Sequence, residues 1–581
     1  VVLGVALAAV LDLSAAAGPD EPVDWNMVNR IREEGFNNSK VMETLAQLTD
    51  VLGPRLTGSP NLKKANEWTR DQLASWGLSS AHLEAWGPFG RGWSFERAAV
   101  HALRPFAGPL LAVPKAWTPG TPGPVTGRLL RARLDSDADL EKQKGKLAGA
   151  VLLLGEPPTL RPPDRPLFRR YSEDDLRNLS VFDIPGDRRG PPAPGPEASP
   201  SPGQPAPPGP PGPGGPFDRE AALRRFRFQR TLREFLSAEK VLATIEPSER
   251  DGGIVRVAGG GSRQKGEDPG VPALVMAAEH YGRLSRLLAR GQEVELELDV
   301  KAAFHDDDPM AYNTVAEIPG TDKAPEIVMV GAHLDSWHAG TGATDNAAGS
   351  AVMMEAVRIL KALDVKPRRT IRIGLWTGEE QGLLGSAAYV REHFASRPEP
   401  ADPAEREVPR FLRRGPAGPL TVKPDHARFS VYFNLDNGTG KVRGIYSQEN
   451  AAAGPVLEAW LKPFADLGAT TLTNRNTGGT DHQSFDAVGL PGLQFIQDQA
   501  DYDTRSHHTH LDVYDRLQRQ DMMQASVVVA SFVYHAATRA ERFPRKPMPR
   551  ERPGAPGAGP AGSPGPGGSP ASPPSPRPSP R

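Results

Sequence analysis

Four short runs rich in β-branched and aromatic residues each lead into a cluster of polar and acidic positions. Glu326-Ile-Val-Met-Val330 runs into Gly331-Ala-His333-Leu-Asp335, and Thr370-Ile-Arg-Ile-Gly-Leu-Trp376 into Thr377-Gly-Glu379-Glu380. Phe429-Ser-Val-Tyr-Phe433 runs into Asn434-Leu-Asp436, and Leu490-Pro-Gly-Leu-Gln-Phe-Ile496 precedes the segment that carries His507 and His508. Their length and bounding Gly, Pro and polar residues predict β-strands. Between the first two, Val352, Ala356, Ile359, Leu360 and Leu363 recur at helical spacing, and Pro367 cannot continue that helix. Strand, helix and strand in alternation predict an α/β fold, a mainly parallel mixed sheet sandwiched by helices. In such sheets ligands gather beyond the carboxyl ends of the strands.

His333, Asp345, Glu380, Asp436 and His508 all fall there. Imidazole and carboxylate without thiolate suit zinc, with cobalt or manganese as substitutes, and the set is too nitrogen-rich for a calcium or magnesium cage. Five ligands exceed what one tetrahedral zinc uses with a position left open, which predicts two Zn2+ ions sharing a carboxylate, with Asp345 as the bridge. Two such ions activate a water and polarise a carbonyl. Glu379, beside a ligand but itself free, is placed to act as general base, and Asp335, two residues beyond His333, to hold the ring of His333 in its ligating tautomer.

The series His333-Leu-Asp335-Ser336, Gly342-Ala-Thr-Asp345-Asn346-Ala-Ala-Gly349, Glu379-Glu380-Gln-Gly382, Asn434-Leu-Asp436, Gly479-Thr-Asp481-His482 and His508-Thr-His-Leu-Asp512 resembles the motifs of the co-catalytic zinc aminopeptidase and glutamate carboxypeptidase family. It is most similar to a secreted branch, of carboxypeptidase Q type, that carries a protease-associated domain. The resemblance implies the same five ligands and base, and a cis peptide after Asp345. Many aminopeptidases of the family have an oxyanion-stabilising tyrosine where this chain has His507, so the resemblance leaves His507 as the candidate for that contact.

The domain reading follows. Residues 18–119 and 303–543 form the two parts of the catalytic domain, the first including Leu52-Gly-Pro-Arg-Leu-Thr-Gly-Ser59-Pro60 and a helical stretch through Trp68 to Trp76. Residues 120–302, with short strands in 145–154, 271–275 and 291–300, resemble the inserted β-rich protease-associated domain. A chain of 581 residues has room for these units. Its 61 Pro and 60 Gly are concentrated in two tracts, 189–216 within the insertion and 544–581 at the end, neither of which can bury enough apolar surface to order itself.

A formal net charge of −1 gives no case for nucleic acid, and the absence of cysteine removes disulfides. Residues 1–17 are apolar and end in Ser14-Ala-Ala-Ala17, the pattern of a signal peptide that predicts a secreted or periplasmic protein. No later segment is expected to span a membrane, since Ser526 to Val533 belongs to an amphipathic C-terminal helix. His338 is expected as a hydrogen-bonded loop residue, Thr480 and Asp481 as substrate contacts or helix caps, and His510 and Asp512 as supports of the His508 loop. The expected partners are peptides with a free terminus, and a homodimer is an admissible assembly. The function expected is aminopeptidase. A dipeptidase or carboxypeptidase stands as the alternative, followed by a single-zinc glutaminyl cyclase and a non-catalytic binding protein on the same fold.

Overall fold

A computed structural model of the chain describes residues 21–160, 163–182 and 218–548, apart from 403–404, 407, 409–411 and 414–417. The signal peptide and the first Pro-rich tract, from its start at 189, lie outside the described residues, as does the second tract from 549 on.

One eight-stranded sheet has the order Ser79–Trp86, Ala311–Ile318, Thr370–Trp376, Ile327–His333, Phe429–Asn434, Gly492–Gln497, Val442–Tyr446 and Thr471–Thr473. The four strands expected from sequence lie side by side and mutually parallel at its centre. The strands Ala311–Ile318 and Val442–Tyr446 flank them antiparallel. Buried on both faces, they read as continuous apolar runs, as central parallel strands do. Val328 and Val330 face one helical layer, which includes Trp25–Asn37, Ala348–Ala362 and Arg519–Thr538. Met329 and Tyr432 face the other, with Leu384–His393 and His482–Asp486.

The C-terminal helix departs from expectation. Every residue of 521–537 except Tyr534 is buried, so the helix is enclosed all round instead of presenting one polar face. The N-terminal helix Trp25–Asn37, which carries too few apolar residues to stand out in sequence, packs on its outer side. Its buried Gln524 is matched by the strand beside it, accepting from Val442 N at 2.9 Å and donating to Val442 O at 2.8 Å.

A second eight-stranded sheet has the order Gly108–Pro109, Gly92–Arg104, Glu295–His305, Val125–Ala132, Ala150–Leu154, Ala243–Pro247, Ala273–Met276 and Ala112–Pro114. It begins at Gly92 and not at residue 120, because Gly92–Arg104 pairs along almost its whole length with Glu295–His305. That pairing joins residues some two hundred positions apart and leaves no local trace. The segment 163–182 leaves this unit and crosses to the catalytic sheet, where Arg169 bridges Ala500 and Thr504 Oγ1 donates to Leu167 O at 2.7 Å. There Arg170 Nη1 lies 3.1 Å from the buried Asp498 and 2.7 Å from the buried Asp521.

The end of the chain holds a further correction. Residues 544–548, read from sequence as the start of a disordered tail, dock on the catalytic domain. Pro544 O accepts from Asn450 Nδ2 at 2.8 Å, and Lys546 pairs with Asp486 at 2.6 Å.

Phe532 is fully buried against Phe433, Trp460 and Phe495, with ring centroids 6.0, 5.7 and 5.3 Å away. Phe532→Ala should lower the unfolding free energy by about 3–5 kcal/mol in urea titration, the usual cost of an aromatic cavity.

Candidate metal centre and active site

The first strand ends at His333, whose Nε2 lies 3.3 Å from Asp345 Oδ1 and 3.3 Å from Asp436 Oδ1. Asp345 sits in the kinked turn Ala343–Ala347, entered through Gly342 at φ 64, where a side chain would strain the backbone. A Cβ on Gly342 would also come within 2.3 Å of Ser336. The second carboxylate oxygen of Asp345 lies 3.3 Å from His508 Nε2, and Glu380 Oε2 lies 3.0 Å from the same nitrogen. Asp345 thus turns one oxygen to His333 and Asp436 and the other to His508 and Glu380. All five residues named from sequence come together, and the Asp345–Asn346 peptide is cis, as the resemblance implies.

His507 Nε2 is 3.9 Å from Asp345 Oδ2, and its ring stacks on Tyr502 at 4.7 Å. Asp335 takes a different part from the one expected. It is its backbone carbonyl, 3.0 Å from His333 Nδ1, that fixes the imidazole tautomer, while the nearer carboxylate oxygen is 3.6 Å away. The carboxylate instead accepts from Thr57 Oγ1 at 2.8 Å and from the backbone N–H groups of Glu379 and Glu380 at 3.3 and 3.4 Å. Asp335 therefore holds the Glu379-Glu380 turn in place.

Several supports were not legible as site residues. Arg55, fully buried, donates to the carbonyls of Leu334, Thr341 and Gly342 at 2.7, 2.8 and 2.8 Å, tying the His333 loop to the Asp345 turn. Thr57 links Asp335 to Gly378 N. Only the Leu52–Pro60 stretch as a whole marked these positions. Asp512 accepts from Thr344 N at 2.6 Å, and His510 Nδ1 accepts from Val255 N at 3.0 Å, so both hold the loops around His508. His338 donates to Pro114 O at 2.7 Å, a hydrogen-bonded loop residue that ties the two sheets together. Asp481 stands at the N-cap of the helix His482–Asp486 but its side chain makes no capping hydrogen bond. The hydroxyl of Thr480 accepts from Asn434, and both oxygens of Asp481 are buried without a hydrogen-bond partner.

The insertion reaches the same place. Val257 N donates to His508 O at 3.1 Å and His510 N to Val255 O at 3.1 Å. Trp337 stands between His508 and Trp117, 6.0 and 6.1 Å from their rings. Gly261 passes so near Trp117 that a Cβ would lie 1.5 Å from its carbonyl oxygen.

Burial, then the charges of Asp436, Asp481 and Glu380, push the Glu379 carboxyl well above the usual range, with His333 opposing. Burial and Asp345 do the same to Glu380. Asp481 is pushed up to about 7 by burial and by Asp436. Burial opposes charge on His333, but Asp436 and Glu379 outweigh it and hold its pKa well above the ordinary histidine value. Burial also disfavours the Asp345 carboxylate, yet His333 and His508 hold it well below its usual range. Burial brings His508 down to about 4.

This donor set fits divalent zinc. Asp345 Oδ2 and Glu380 Oε1 are buried with no hydrogen-bond partner, which is costly for a carboxylate unless a cation meets it. A bound cation would favour the ionised carboxylates that burial alone disfavours.

Residues 313–533 match Peptidase family M28. The chain is 25% identical over 515 residues to carboxypeptidase Q of Mus musculus, covering 88% of each chain. It is 29% identical over 230 residues to aminopeptidase YwaD of Bacillus subtilis, covering 39% of this chain and 44% of that one. A peptidase M28 precursor from Shewanella amazonensis shares the fold at 23% identity and TM-score 0.59, over 90% of this chain and 99% of the other. With that match and these relatives, the chain is a zinc metallopeptidase, an exopeptidase whose substrates are peptides.

Arg55→Met would leave the carbonyls of two ligand-bearing loops without their donor and remove a fixed cation whose charge interacts with Asp512, Asp335 and Asp345. The expected loss is about 3–5 kcal/mol of unfolding free energy by urea titration, the range for removing one partner of a buried charge network.

Proposed function

We propose that this peptidase holds two zinc ions and removes N-terminal residues from peptides. The observation that carries the reading is the divided carboxylate of Asp345, with an imidazole and a further carboxylate gathered at each of its oxygens. His333, Asp345 and Asp436 would hold one ion, and Asp345, Glu380 and His508 the other. Zinc, when bound, supplies a Lewis acid for the scissile carbonyl and lowers the pKa of the attacking water.

The protein's own groups do the rest. Glu379 takes a proton from the attacking water and passes it to the leaving nitrogen as the C–N bond breaks. Its raised proton affinity suits a group that must hold that proton between the two transfers. Asp335, through the backbone N–H groups of Glu379 and Glu380, keeps this carboxylate at the reacting atoms. His507, brought down to about 4 by burial and by the neighbouring His508, stays neutral and donates a hydrogen bond to the oxygen on which charge develops.

The alternative, a dipeptidase or carboxypeptidase, draws support from the likeness to carboxypeptidase Q along most of the chain. The inserted sheet is read as a protease-associated domain that walls the substrate cleft. The apolar segment 1–17 supports export to the periplasm or the medium. Among the described residues no helix is long and apolar enough to cross a membrane.

A defined mixture of peptides with free, N-blocked and C-blocked ends, incubated with the protein and followed by mass spectrometry, tests the reading. Chelator-sensitive loss of single N-terminal residues is the expected result, whereas cleavage only of dipeptides or from the C-terminus moves the enzyme to the alternative. A count of one zinc per chain would point to a cyclase, and intact folding without zinc to a binding protein.

Glu379→Gln should lower kcat by about 10²–10⁴-fold, the usual contribution of a general base, while elemental analysis still finds two zinc ions per chain. Exhaustive chelation should abolish turnover and lower the melting temperature, with both restored by added zinc, because an ion that binds only the folded chain stabilises it.

A further inference from the structure

The five ligand residues are not held alike. His333 ends a central strand, and Asp436 stands two residues past another. The backbone N–H of Glu380 is fixed by the carboxylate of Asp335, and the turn of Asp345 by Arg55 at Gly342 O and by Asp512 at Thr344 N. All of these supports belong to the catalytic scaffold. Among the described residues, His508 is the ligand whose backbone hydrogen-bonds to the inserted unit, its O accepting from Val257 N at 3.1 Å.

The insertion also runs along the loop that leads there. Residues 498–506 join the strand Gly492–Gln497 to His507 and His508, and the stretch 167–171 lies beside them in the opposite direction. Tyr171 N donates to Asp498 Oδ1 at 2.9 Å, Arg169 N to Ala500 O at 2.8 Å, and Leu167 O accepts from Thr504 Oγ1 at 2.7 Å. Contacts at every second residue are those of one edge of an extended chain, so 167–171 serves as an added strand. Between 498 and 508 the two non-glycine residues with left-handed backbone are Ala500, at φ 52, and His508, at φ 60. Both meet the insertion through their carbonyls. Side chains disfavour that backbone, which persists only where the surroundings hold it. The catalytic scaffold grips the loop between these points, Thr344 Oγ1 donating to Ser506 Oγ at 2.8 Å, so losing the insertion's hold would loosen the loop without freeing it.

We propose that the inserted unit is the keeper of one zinc. By docking 167–171 on the loop it holds His508 to the ion shared with Asp345 and Glu380, while the ion of His333, Asp345 and Asp436 is indifferent to it. This rests on the two-zinc reading and deepens it. With the stretch in place three ligand residues converge on that ion; with it displaced, Asp345 and Glu380 alone keep their positions. The chain can then pass between a two-ion and a one-ion form while both sheets stay folded. The insertion thereby sets how much zinc the enzyme requires, a control on activity separate from any contact with substrate.

The test uses the zinc-loaded full chain and reads metal rather than turnover. Arg169→Pro removes the N–H given to Ala500, and Thr504→Val the hydroxyl given to Leu167, with Arg170 left on its two acids. Zinc release is followed in an excess of a colorimetric chelator. In the double variant one zinc should leave about 10- to 100-fold faster than from the unaltered protein, the usual effect of disturbing a support of a metal ligand, and the other within about twofold of its original rate. Either single variant should fall between. Phe532→Ala, which weakens the core among Phe433, Trp460 and Phe495, should leave both rates as they were, separating this role from general loss of stability. On a His508→Ala background one zinc per chain should remain, and adding the two substitutions should not change its release. Equal acceleration of both ions, or release unchanged in the double variant, would overturn the inference while two zinc ions per chain left the metal reading standing. One zinc per chain in the unaltered protein would sink both.

Discussion

Asp335, Asp345, Glu379, Glu380, Asp436, Asp481 and Asp512 converge beyond the carboxyl ends of four parallel strands, and their mutual repulsion in a medium of low polarity is what the surrounding structure must counter. Protein groups meet part of it. Arg55 spreads its donors over carbonyls of two loops and leaves its charge among Asp512, Asp335 and Asp345, even though burial pulls its own pKa down to about 10. Backbone N–H groups of Glu379, Glu380 and Thr344 meet the carboxylates of Asp335 and Asp512. Of the oxygens that remain without a partner, those on Asp345 and Glu380 lie at the atoms suited to zinc, while both oxygens of Asp481 are left over as well. Zinc binding and the final tightening of these loops are on this account one equilibrium.

The same constraint explains why the ligand loops are held from several directions. His333 follows directly from a central strand and needs little help. His508 comes from a loop and adopts a φ of 60, which few side chains favour. Its backbone is secured by Val257, its neighbour His510 by Val255, and the preceding turn by Thr504 and Ala500 against segment 163–182. Two stretches of the insertion, 163–182 and the segment at Val255 and Val257, thus support the loop that carries His508.

How much of this was legible in sequence depended on how local each determinant is. The four central strands were readable because burial on both faces writes itself as an uninterrupted apolar run, and the ligands because they stand just past those runs. The helix 519–538 was misread as amphipathic: its Asp521, Gln524 and His535 look like a polar face until their buried partners are known. Arg55 and Thr57 were marked only as part of the stretch Leu52–Pro60, since a buried arginine is recognisable only from the carbonyls around it, which come from residues nearly three hundred positions away. Asp335 was placed correctly near His333 but assigned the wrong atoms, because spacing in sequence cannot separate a carboxylate from the carbonyl of the same residue.

The crossing segment 163–182 bears on how this chain could have diversified. An insertion joined to its host only at its two chain ends can be exchanged between relatives by recombination. This one has further attachments, among them Arg170, wedged between Asp498 and Asp521, whose side chains are both sealed from water. A graft lacking that arginine would leave the buried Asp521 without its ion-pair partner and Asp498 with Arg443 alone. The insertion and the catalytic scaffold are therefore bound to drift together, and a change of substrate preference should arise by point substitution within the inserted unit more readily than by its replacement.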